Sequence, residues 1–166
     1  PRRNDRPATL AYCWSHVRRK FYEIAQAGPA PIAEEALRLI SALYAIEAEI
    51  RGQDVDARRA TRDARSRPIL EALRPWFETQ LGRLPRKSRL AEAIRYALKL
   101  WDGLGRFLDD GRLEIDTNTV ERAIRPIALN RKNSLFAGSD RGGRHWATIA
   151  SLIGTCRLND VNPHAY

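Results

Sequence analysis

Two groups of side chains in this sequence have types and spacings that could do chemistry. One is acidic: Asp109, Asp110, Glu114 and Asp116, then Glu121. Carboxylate oxygens suit hard divalent cations such as Mg2+ or Mn2+, and pairs of such ions drive phosphodiester chemistry. The other is a thiol and an imidazole three residues apart, Cys13 and His16.

Each group also has a plainer reading. The acidic cluster lacks the Gly and carboxylate spacing of a calcium loop, so it reads as a solvated turn with a helix cap at Asp116 or Asn118. Asn118-Thr119-Val120-Glu121 has the form of a capping box, and Arg125 stands one turn on as a salt-bridge partner for Glu121. Cys13 and His16 could bind zinc with His145, Cys156 or His164, but the spacing matches no standard finger. They read instead as packing or hydrogen-bonding residues that order a strand-to-helix junction. A cysteine nucleophile would need an orienting acid or amide that no second motif supplies.

Cations are abundant: 29 Lys and Arg against 20 Asp and Glu, a net charge of +9 and a pI near 10.2. Nearly all are Arg, whose planar fork suits phosphate and base edges, although a high-GC genome also favours Arg codons. The basic runs are Arg18-Arg19-Lys20, Arg58 to Arg67, Arg122 with Arg125, Arg131-Lys132 and Arg141 to Arg144. Singly each is a solvated face; their sum points to a polyanion, and nucleic acid is the natural one. Gly138 to Arg144 reads as a Gly-rich loop exposing backbone amides beside Arg141 and Arg144, where phosphate could sit. Trp14, Trp76, Trp101 and Trp146 are expected in the core rather than on a base-stacking surface.

The elements that must position these groups follow from periodicity. Thr9 to Trp14 reads as one buried strand leading into a basic helix over Ser15 to Ala27, which Gly28 to Pro31 ends. Ile32, Ala36, Leu39, Leu43, Ile46 and Ile50 form a helical stripe, with Glu34, Glu35, Glu47 and Glu49 on other faces. Asp54 caps a further helix that Pro68 and Pro75 must kink or divide. Ser88 starts another, with its stripe at Leu90, Ile94, Ala97, Leu98, Trp101, Leu104 and Leu108. Past Gly111 the pattern shifts to a short extended Leu113-Glu114-Ile115, then a helix over Asn118 to Leu129 with Val120, Ile124 and Ile127 on its apolar face. Leu135 to Ala137 reads as a second short strand, and a final helix runs to about Arg157.

Cys13-Trp14-Ser15-His16-Val17-Arg18-Arg19-Lys20-Phe21, Glu114 to Pro126 and Phe136 to Gly143 resemble three hallmark stretches of transposases of the insertion-sequence family numbered sixty-six. The resemblance implies a ribonuclease H-like catalytic core of the DDE class, with an all-helical insertion between the second and third acids. On that pattern Cys13 and His16 form the motif after the second Asp. The third acid, and metal ligand for Mg2+ or Mn2+, is Glu121, with Asp116 a weaker candidate. Both upstream Asp residues would fall before Pro1, so no tightly held metal and no catalysis are expected of these 166 residues alone.

The expected fold class is therefore mainly α: the C-terminal portion of a ribonuclease H-like α/β core, interrupted by an all-helical insertion. Residues 1–28 would end the first part of the core, 29–110 form the insertion, and 111–166 return to the core. The expected partners are DNA at the element's ends and target, a second protomer, and other proteins of the same element, with DNA contacts at Arg122, Arg125, Arg131, Lys132, Arg141 and Arg144. Two cysteines far apart and no long apolar span imply a cytoplasmic protein with no membrane contact, the resemblance implies a bacterial one, and Pro1 to Pro7, without any Met, reads as a cut from a longer chain. Two rival expectations are a non-catalytic DNA-binding or regulatory remnant and a helical protein-interaction domain.

Overall fold

The computed structural model describes residues 9–133 and 138–165, apart from the side chains of residues 119 and 130–133. The α-helices among them are α1 Trp14–Ala25, α2 Pro31–Glu49, α3 Val55–Thr61, α4 Arg67–Arg83, α5 Arg89–Lys99, α6 Trp101–Gly105, α7 Asn118–Asn133 and α8 Asp140–Leu158. The fold is mainly α, and the described residues contain no strand. They group into two compact units, one up to Thr117 and one from Asn118.

In the first unit α1 packs on α2 and α5, and α4 on α2 and α5. Residues i, i+3 and i+7 of α1, namely Trp14, Val17 and Phe21, are fully buried. Trp14 meets Trp101 edge-on at 5.9 Å, Phe21 stacks on Phe77 at 5.4 Å, and Phe77 meets Trp101 edge-on at 6.1 Å. Offset and edge-to-face aromatic pairs of this kind add about 0.5–1.5 kcal/mol each beyond area burial. The Trp14 indole N–H donates to the Leu104 carbonyl at 2.9 Å, so its one polar atom is satisfied in the core. α1 thus shares one core with α2, α4, α5 and α6.

The strand expected at Thr9 to Trp14 is absent. Thr9 to Tyr12 are exposed, and Trp14 opens α1 instead. With no neighbouring strand among the described residues to accept them, the amides of Tyr12 and Trp14 bond singly to the carbonyls of Gly103 (3.0 Å) and Ile115 (3.1 Å). Tyr12 lies so close to α6 that a Cβ on Gly103 would come within 2.2 Å of its ring.

Asp54 caps α3, accepting from the amides of Asp56 (3.0 Å) and Ala57 (2.9 Å). Pro68 divides the following helix by a specific device. It has no N–H to give the carbonyl four residues back, and the turn over Arg62–Ser66 widens to a π-helix before α4 resumes. Pro75 is carried inside α4, where the Thr79 hydroxyl bonds to its carbonyl at 2.8 Å. Ser88 caps α5 through the Ala91 amide (3.2 Å), but the helix expected to run to Leu108 breaks at Leu100. Its stripe is largely met, with Ile94, Ala97, Trp101, Leu104 and Leu108 all buried.

In α2 the stripe is rotated from the expected one, so that Glu47 lies buried at 7% exposure instead of facing water. Its partner is Arg62, fully buried, which reaches it with Nε at 2.7 Å and Nη2 at 2.6 Å. The remaining Arg62 nitrogen donates to the carbonyls of Phe107 (2.8 Å) and Asp110 (3.2 Å), and the guanidinium lies 5.3 Å from the Phe107 ring. A buried charge pair is tolerated only when both partners are so satisfied.

The second unit consists of α7, α8 and their flanks. Ser139 caps α8, and its hydroxyl accepts from the Gly142 amide at 3.1 Å. The apolar stripes of both helices are open: Val120 is 55% exposed and Ile149 56%, with Ile124, Ile127, Trp146, Leu152 and Ile153 exposed as well. Trp146 is thus on the surface, contrary to expectation, while Trp14 and Trp101 are core residues and Trp76 is half-buried. The strand expected at Leu135 to Ala137 lies outside the described residues, as do Pro1 to Pro7.

Candidate functional site

Within the first unit, the chemistry-bearing side chains gather where the start of α1 meets the chain leading out of the unit. Cys13 is the N-cap of α1 in extended backbone. Its Sγ lies 3.0 Å from the Ser15 hydroxyl and accepts from the Thr117 amide at 3.4 Å. Burial alone would raise the thiol, but hydrogen bonds from Ser15, Thr117 and His16 outweigh it and bring its pKa from 9.0 down to about 7. The junction that Cys13 caps is a coil-to-helix step, where a strand-to-helix step was expected. His16 is exposed on the first turn of α1.

Asp116 lies at the same corner, half-buried. Burial and then the negative charge of Asp116 push the Tyr44 hydroxyl above its ordinary pKa. Tyr44 was not legible as part of this corner, because it sits on α2, far away in sequence, and no local signal links the two.

The other acids of the cluster are ion-paired apart from one another. Asp109 pairs with Arg67 at 2.8 Å, Asp110 with Arg112 at 2.7 Å, and Glu114 with Arg58 at 2.9 Å. Hydrogen bonds from Arg112 hold the Asp110 carboxyl down at about 2. Gly111 is required between them, since a Cβ there would lie 2.0 Å from the Val55 carbonyl oxygen. Each of these three carboxylates is thus held by an arginine.

In the second unit, Glu121 occupies the first turn of α7, at the positive end of the helix dipole. Arg122 and Arg125 follow three residues apart and are exposed, so both forks are open to solvent on one side of the helix. Arg131 and Lys132 lie on the last turn of α7, and their side chains are outside the described residues. Arg141 and Arg144 are exposed on the first two turns of α8. The loop expected there is corrected: α8 already begins at Asp140, and Gly142 and Gly143 give their amides to the Ser139 hydroxyl and carbonyl. Those amides are therefore engaged in a helix cap and do not form an open phosphate cradle.

The densest basic run is also largely engaged. Arg58 pairs with Glu47 and Glu114, Arg62 with Glu47, Arg65 with Glu49, and Arg67 with Asp63 and Asp109. Arg density in the sequence overstates the free charge here, because four of the run's five arginines hold the helical unit together.

A model of the family described as "Transposase IS66 family" matches residues 2–145, and the chain belongs to that family. It is 49% identical over 154 residues to the uncharacterized protein y4qI of Sinorhizobium fredii, covering 93% of this chain and 29% of that one. With y4jD of the same organism it is 40% identical over 163 residues, covering 98% of this chain and 32% of the relative. It also matches the uncharacterized protein YuaK of Escherichia coli, at 54% identity over 33 residues, 20% of this chain and 35% of that one. The chain thus spans about a third of the length of the longer relatives. No solved structure matches it. Among the described residues no helix is long and apolar enough to cross a membrane.

Proposed function

We propose that this chain is the C-terminal part of a DDE transposase that cuts and joins DNA at the ends of its insertion sequence, in the bacterial cytoplasm. The observation that carries the reading is Glu121 on the first turn of an exposed helix, with Arg122 and Arg125 beside it, in a chain of this family. Residues 1–28 and 111–166 then belong to a ribonuclease H-like core and 29–110 to an insertion. The open stripes of α7 and α8 support this, since helices of such a core need a sheet to rest on.

A carboxylate is the donor that Mg2+ or Mn2+ prefers, so Glu121 fits as one ligand. One acid does not fit as the whole site, because a two-metal centre needs several, and the described residues set Asp109, Asp110 and Glu114 in ion pairs. The metal pair supplies an activated nucleophile and a stabilised leaving oxygen. What this chain's residues contribute is one ligand at Glu121 and phosphate contacts at Arg122, Arg125, Arg141 and Arg144, with Arg131 and Lys132 further along α7. These 166 residues alone are inactive on this reading.

The test is strand cleavage and joining by the full-length protein with Mg2+ or Mn2+, comparing wild type, Glu121→Gln and Glu114→Gln, each checked by circular dichroism. The expected result is loss of both activities in Glu121→Gln alone, with the fold and DNA binding kept. Retained activity in Glu121→Gln would make the residue a helix cap. An inactive wild type that still binds DNA would favour a non-catalytic binding module.

A further inference from the structure

Free positive charge in the helical unit concentrates where sequence density does not. Between Arg83 and Lys99 there are six cations, Arg83, Arg86, Lys87, Arg89, Arg95 and Lys99, and a single carboxylate, Glu92. None of the six pairs with an acid among the described residues, in contrast to the Arg58 to Arg67 run. Arg83, Arg86, Lys87, Arg89 and Arg95 are all exposed, from the end of α4 through the turn to the middle of α5.

The fold gathers this charge further. Arg95 folds back so that its Nη2 donates to the Arg86 carbonyl at 2.6 Å, which sets its guanidinium against the turn. From α1, Lys20 lies 4.6 Å from the centre of the Tyr96 ring and lines a small hollow together with Arg89. Two acids, Glu23 and Glu92, line the same hollow, and Glu23 is already held by Arg19 at 3.0 Å. The excess of cations over acids therefore survives at the surface, on one side formed by α1, α5 and the α4–α5 turn.

We infer that the α4–α5 turn, with Arg86, Lys87, Arg89 and Arg95 at its centre and Lys20 at its edge, is the surface by which the helical unit holds the phosphate backbone of duplex DNA. Cations that no internal carboxylate neutralises are the ones that can replace counterions on DNA, whereas Arg62 or Arg65 would first have to leave a partner. At physiological salt a charge acts over only about 8 Å, so location on the surface and not net charge decides which cations count. This deepens the transposase reading and rests on it for the identity of the polyanion.

The test is binding of the 166-residue chain to a fluorescent mixed-sequence DNA duplex across a salt series. Wild type is compared with Arg86→Ala/Lys87→Ala/Arg89→Ala and with Arg58→Ala/Arg65→Ala/Arg67→Ala, which removes the same charge from ion-paired positions of the denser run. Circular dichroism confirms that each is folded. The expected result is at least a tenfold weaker affinity in the first variant, with the slope of log K against log salt smaller by about 2–3, and a change within about twofold in the second. Equal losses in the two variants, or an unchanged first variant beside a binding wild type, would overturn the surface while leaving DNA binding standing. A wild type that binds no duplex at any salt would sink the DNA reading and this surface with it.

Discussion

The two compact units treat the same kind of sequence pattern in opposite ways. Up to Thr117, stripes of apolar residues at helical spacing close on one another, and Trp14, Phe21, Ile40, Phe77 and Ile94 lose all contact with water. From Asn118, stripes of the same period stay open, and Cys156 is the one buried apolar residue among those described. An amphipathic helix is stable in water mainly through what covers its apolar face. The difference teaches that amphipathicity announces a need for a partner without saying where the partner is. In the helical unit it is the next helix; for α7 and α8 it is not among the described residues of their own unit.

The sharpest way to break this comparison is to open the closed unit. Trp14→Ala removes a fully buried ring and its hydrogen bond to Leu104, and should cost about 3–5 kcal/mol, read as a lower urea midpoint. A loss under about 1 kcal/mol would mean that the first unit is not the stable one.

A second probe asks whether the corner at the end of that unit is as ordered as its contacts suggest. With its pKa near 7, Cys13 should be alkylated by iodoacetamide at a rate that rises through about pH 7 and levels off above it, whereas an unfolded thiol responds nearer 9. Ser15→Ala should move the midpoint upward and slow labelling at pH 7 several-fold. The sign follows from the lowered pKa: the ionised thiol's contribution to stability is complete above the unfolded value and fades as pH falls through about 7. A wild-type midpoint at 9 would show that the Ser15 and Thr117 contacts do not persist in solution.

The smallest effect is expected in the open unit. Ile124→Ser and Ile149→Ser, made together in this chain, should leave the urea midpoint within about 0.5 kcal/mol of wild type, since both side chains are already half in water. In the full-length protein, where a sheet is proposed to cover these faces, the same pair should cost several times more. Equal effects in the two settings would mean that nothing covers α7 and α8.

Much of the fold was legible because it is local. The caps at Asp54 and Ser88 act within one turn of their own helices, and each is a side chain whose role depends on the next three residues. The stop at Gly28 and the division before Pro68 follow from backbone chemistry at single positions. The strand at Thr9 to Trp14 was misread for the opposite reason. β-branched and aromatic residues favour strands only where another strand completes the ladder, and here the amides found a helix end and a loop.

What the sequence determined by itself was the set of helices, the family and the placement of Glu121 at the head of α7, because periodicity, caps and motifs are written in neighbouring residues. Only the tertiary structure decided which charges remain free. Glu47 and Arg62 stand 15 residues apart, and Arg67 and Asp109 stand 42 apart. Such pairs form only once helices have met, so the densest run of arginines became internal scaffolding and a sparser one at the α4–α5 turn was left facing water. Charge is additive along a chain, but its availability depends on three-dimensional neighbours, which no window of sequence contains.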